Sequence, residues 1–102
     1  MFEKLKNKKV IVRSYNEGVN AGIVVKASKN GVIIKKGRRL WKHAPKDKNM
    51  SWYEGVAVSG ISDDSSVSPT FKEKIIVEKY SLTLCTDEAY KSIMDLEPHK
   101  QG

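Results

Sequence analysis

Only three of the nineteen basic residues are arginines, and their type and placement carry the clearest chemical signal in the chain. Arg13, Arg38 and Arg39 each present a planar donor fork that grips phosphate or carboxylate at two points and stacks on flat rings, whereas the lysines offer solvated point charges. Two of the forks fall in the run Arg38-Arg39-Leu40-Trp41-Lys42-His43, which adds an indole and further positive charge within one strand length. Tyr15 ends the segment that carries Arg13, and Trp52 and Tyr53 can return to the same neighbourhood. Arg13, Tyr15, Arg38, Arg39, Trp41, His43, Trp52 and Tyr53 therefore form the candidate ligand-binding set. Its rings would clamp a base and its forks would hold the attached phosphate. The competing reading is structural: aromatic residues dominate small cores, and the arginines would pair with acids such as Glu54 or Glu78.

Catalysis needs a nucleophile or an acid and base held together, and histidine is the usual proton carrier near neutrality. The chain has two, His43 and His99. His99 follows Pro98 near the C-terminus, and His43 has no carboxylate in sequence to orient its ring before Asp47. The lone Cys85 lacks the paired Cys or His neighbours of a zinc site and cannot form an internal disulfide. It ends an apolar run just before a helix start, where a packed thiol is the expectation over a reactive one. Asp63-Asp64 lacks the spaced oxygen ligands of a calcium loop, and Gly18-x-x-x-Gly22 has no following helix to cradle a phosphate. The expectation is a non-enzymatic protein with no cofactor and no metal.

The net charge of +7 is unevenly spread. Residues 1–53 hold fourteen Lys or Arg against three Asp or Glu, a net of +11, while residues 54–102 hold five against nine, a net of −4. Such asymmetry dedicates one face to an anion, unless the lysines serve only to solvate a β-rich domain and discourage edge pairing. The longest apolar runs, such as Val10-Ile11-Val12, are far short of the ~20 residues of a membrane span. No membrane partner and a reducing cytoplasm are expected.

The elements that must position these residues are mostly strands. Lys9 to Tyr15 is a β-branched run ended by the turn Asn16-Glu17-Gly18. Gly22 to Ala27 and Val32 to Lys35 form a hairpin about Asn30-Gly31, a pair that tolerates positive φ. Gly37 then breaks the run, and Arg38 to Trp41 starts a fourth strand with Leu40 on one face and Arg39 and Trp41 on the other. His43 to Asn49 is a Lys-rich loop, Ser51-Trp52-Tyr53-Glu54 has the spacing of a capping box for a short helix, and Gly60 to Pro69 is a polar loop. Lys74 to Cys85 gives one or two strands with a break near Lys79. Thr86 caps a terminal helix with Asp87 and Glu88 in its first turn and Pro98 after its end. The pattern predicts one mainly β (α+β) domain over residues 1–102, a small antiparallel roll or open barrel with a short middle helix and a C-terminal helix.

Val12-Arg13-Ser14-Tyr15 with Gly18-Val19 and Gly22, then Arg38-Arg39-Leu40-Trp41, then Leu84-Cys85-Thr86-Asp87-Glu88-Ala89 with Ser92-Ile93 occur in one order along the chain. In this the sequence resembles an uncharacterised family of short phage and prophage proteins, over about residues 10 to 93. It departs from that family at Lys42-His43 and the lysine-rich loop that follows. The resemblance implies a phage accessory protein in the host cytoplasm and brings no catalytic residue. The reading that follows is a counter-defence protein binding an anionic partner, either a nucleotide-like signal or an acidic host defence component, through its basic Arg/Trp surface. A nucleic-acid-binding module and a structural component of phage assembly are the alternatives. A short chain with several strands and an unclosed barrel also predicts a homo-oligomer, most simply a two-fold dimer.

Overall fold

The computed structural model describes residues 2–42, 45–47, 52–62 and 65–98. After a 3-10 turn at Phe2–Leu5, strands β1 (Lys9–Ser14), β2 (Gly18–Ser28) and β3 (Gly31–Lys42) run as an antiparallel meander. An insertion follows, containing helix α1 (Trp52–Ser59) and the two-residue strand β4 (Ser66–Val67). Strands β5 (Phe71–Ile76) and β6 (Tyr80–Leu84) and the terminal helix α2 (Asp87–Asp95) complete the chain. The sheet order is β4-β3-β2-β1-β6, with β5 also on β3, so β6 returns to lie beside β1. The expected mainly β fold, open barrel and two helices are all present.

β1 explains how so small a sheet finds a core. Val10, Ile11 and Val12 are all buried, although successive side chains of a strand point to opposite faces. The sheet curls, and its inner face gathers Val10, Val12, Val24, Val32, Ile34 and Ile76 into one cluster. The outer face of the same strands buries Ile11, Val19, Ala21 and Leu40 against Val56 and Ala57 of α1 and Ile93 of α2. Both helices thus cover one side of the sheet, and strands buried on two faces read as unbroken apolar runs.

The expected break at Gly37 does not occur. β3 continues through it as one twelve-residue strand that bends at Lys36, whose φ is 50°. Glycine is needed at position 37 for a different reason: a Cβ there would lie 2.1 Å from the Ala21 carbonyl oxygen of β2. The two strands approach more closely than any side chain allows. The hairpin at Asn30-Gly31 forms as expected, yet neither residue takes a positive φ. At Gly31 it is again space that counts, since a Cβ would meet the Ile76 carbonyl oxygen at 2.6 Å.

The sheet edges are tied together by side chains. The connection between β5 and β6 carries Glu78, which accepts hydrogen bonds from the Asn16 N–H (2.7 Å), the Asn16 amide (2.8 Å) and the Glu17 N–H (3.3 Å). The first residue of β6, Tyr80, donates its hydroxyl proton to the Ser28 carbonyl at the end of β2. α2 begins as expected, with Thr86 Oγ1 accepting from the Ala89 N–H at 3.0 Å.

Candidate anion-binding site

Arg38, placed in the binding set on sequence grounds, is a core residue. It is 2% exposed, and its guanidinium faces the last turn of α2. Nη1 donates to the carbonyls of Ile93 (3.1 Å), Met94 (3.2 Å) and Leu96 (2.7 Å), while Nε donates to the Ser68 carbonyl (2.7 Å). A helix leaves its last four carbonyls without intrahelical partners, and the negative end of its dipole lies there. One buried fork meets both demands, so Arg38 docks α2 onto β3 and is withdrawn from the ligand. Burial lowers its pKa from the ordinary arginine value, with Glu97 opposing, and the guanidinium remains charged.

The remaining candidates fall into two groups. Arg39 pairs with Asn20 across β2, and Asn20 pairs with Val12 of β1, so Arg39 shares the face of Val12. Arg13 is the next residue along β1, paired with Val19 and Ser81, and projects from the opposite face. The side chain of Arg39 lies over Gly18, with Nη2 3.3 Å from the point a Cβ would occupy, and Trp41, two residues on, is 44% exposed. Arg39 and Trp41 therefore stay together as the alternation predicts, apart from Arg13. His43 and the side chains of Trp52 and Tyr53 lie outside the described residues.

Arg13 and Tyr15 do meet, and they do so in a pocket. An open concavity of about 430 Å³ at the end of β1 is lined by Arg13, Ser14, Tyr15, Lys79, Tyr80 and Ser81. Two cations, two phenol rings and two hydroxyls thus border one space of the size that small ligands occupy. Tyr15 is 95% exposed, whereas Ser14 is 8% exposed and its Oγ is buried. Lys79, Tyr80 and Ser81 were not singled out from sequence. They arrive because β6 pairs with β1 in the register Ser14 to Tyr80 and Arg13 to Ser81, a long-range pairing of which local pattern shows only the break near Lys79.

The carboxylate beside this pocket is held charged. Glu78 sits below the usual carboxylate range, first through the Ser14 hydroxyl and then through the Asn16 and Glu17 donors, with desolvation opposing. At the other end of β1, beside Lys9, the Cys85 thiol is pushed by burial up to about 12, in keeping with a packed cysteine. Among the described residues no three His, Cys, Asp or Glu side chains gather as metal ligands. No helix described is long and apolar enough to cross a membrane.

A family described as a domain of unknown function, DUF6948, matches residues 7–93, from the residues before β1 into the last turns of α2. The chain belongs to the DUF6948 family. The matched stretch contains every wall of the pocket and Arg38 itself, while two of its acceptors, the Met94 and Leu96 carbonyls, lie just beyond it. Neither the curated proteins nor the solved structures contain a match to this DUF6948 chain.

Proposed function

We propose that this DUF6948 protein is a non-catalytic binding module for a phosphate-bearing anion, held between Arg13 and Lys79 at the end of β1. The pocket carries the reading: Arg13 and Lys79 line one solvent-open space together with Ser81. In the setting that the phage resemblance implies, such a module acts in the host cytoplasm against a defence system by withdrawing an anionic signal or masking an acidic component. Working as a homo-oligomer belongs to the same proposal.

Calorimetric titration with tripolyphosphate tests the site. Arg13 and Lys79 are both exposed, so an Arg13→Gln, Lys79→Gln double variant should fold. Losing two charged donors should weaken tripolyphosphate binding about tenfold or more. Equal affinity in wild type and double variant removes the site.

A coat for nucleic acid is the second reading, favoured by the net +11 of residues 1–53. It predicts affinity that rises with strand length and falls by ~0.7–0.9 in log K per log salt for each phosphate neutralised.

A further inference from the structure

Beyond its two cations, the pocket offers an aromatic ring that is both open and anchored. Tyr15 is 95% exposed, an unusual state for a large side chain on a domain with so little core to fill. Its backbone is nevertheless fixed on both sides. Ser14 pairs with Gly18 and Tyr80, and Asn16 is pinned to Glu78 through its N–H and its side-chain amide. A ring presented by fixed backbone is a stacking platform whose ordering cost is already met in the folded state.

The charges around the ring limit what can lie on it. Arg13 and Lys79 line the pocket, while Glu78 carries negative charge on the adjoining turn; the Glu17 carboxylate is ion-paired with Lys74 at 3.3 Å. Glu78 is below the usual carboxylate range and so is ionised at neutral pH. A phosphodiester chain leaving the pocket past Glu78 would meet like charge, whereas a discrete anion need not pass it. The combination of two cations, a bordering carboxylate and one open ring suits a compact ligand with a phosphate at one end and a flat group at the other.

We infer that the pocket binds a free nucleotide, with its phosphates between Arg13 and Lys79 and its base stacked on Tyr15. Ser81, which also lines the pocket, offers a hydroxyl to the phosphate or ribose oxygens. The inference rests on the anion-binding reading above and adds the base.

Calorimetry with tripolyphosphate, ATP, CTP and a twelve-residue oligothymidylate, on wild type and a Tyr15→Leu variant, separates the two. At least one nucleoside triphosphate should bind about tenfold more tightly than tripolyphosphate, the gain expected of one stacked base. Tyr15→Leu should abolish that gain, so that nucleotide and tripolyphosphate bind alike, while the fold survives because a ring 95% exposed contributes little to packing. If tripolyphosphate binds as well as both nucleotides, the base has no place and the inference fails while the anion site stands. An oligonucleotide that binds more tightly than either nucleotide overturns the inference in favour of a polymer. Binding of none of the four overturns the anion site and the inference together.

Discussion

Arg38 shows how the role of one side chain depends on where its strand lies. Its four donated bonds end on carbonyls of α2 and the segment after β4, within reach only of a forked donor at that depth. Arg38→Lys keeps the charge and loses the fork, leaving carbonyls near the end of α2 without partners. Thermal or denaturant unfolding should show a loss on the order of 3 kcal/mol, with anion binding at the Arg13 pocket intact in the folded fraction. Stability like the wild type's would mean that water or other donors satisfy that helix end. Glu78 makes a second prediction at this scale. Its folded pKa is depressed, so its contribution is present above the ordinary carboxylate value of 4.5 and is lost as pH falls through the lower folded value. Wild type and Glu78→Gln should therefore differ in melting temperature at neutral pH and converge in acid. A difference that persists unchanged to low pH would rule out the carboxylate as its source.

Among the elements, the strands nearest each other in sequence were the most legible. β1, the hairpin of β2 and β3, the break near Lys79 and the Thr86 cap follow from β-branched runs, turn residues and capping chemistry that act over a few positions. Two features lay beyond that range. Gly37 read as a strand break because glycine weakens strands, yet its reason is the Ala21 carbonyl on a neighbouring strand, which no local pattern shows. The binding set was likewise half legible: alternation along β3 separates Arg38 and Leu40 from Arg39 and Trp41, but which face meets α2 is decided by tertiary packing. Lys79 and Ser81 entered the site only through the pairing of β6 with β1. The close approach at position 37 gives the prediction that belongs here. Gly37→Ala places a Cβ 2.1 Å from the Ala21 carbonyl oxygen and 2.9 Å from the Phe71 ring, so β2 and β3 must part or the chain must not fold. The expected cost is on the order of 3 kcal/mol or more, read by denaturant unfolding, with a wild-type midpoint as the refuting result.

For the whole molecule, charge and sheet edges pull in opposite directions. Among the described residues β5 pairs only with β3 and β6 only with β1, so each leaves one edge with no strand beside it. Apolar side chains accompany those edges: Ile75 is 62% exposed, Val77 78% and Leu84 55%. Unpaired edges next to exposed apolar residues favour strand addition by a second copy, whereas a net charge of +7 on each copy opposes it. Salt decides between the two. Raising ionic strength from roughly 0.05 M to roughly 0.5 M shortens the screening length and weakens repulsion between copies, leaving apolar contact and backbone pairing almost untouched. The expected homo-oligomer should therefore tighten with salt, opposite in sign to anion binding at Arg13 and Lys79, which the same salt weakens. Light scattering at micromolar protein should show a mass above 11.5 kDa that grows with salt, and Ile75→Lys should return it towards the monomer. A single 11.5 kDa species at both ionic strengths would show that these edges stay unpaired for a reason other than charge repulsion.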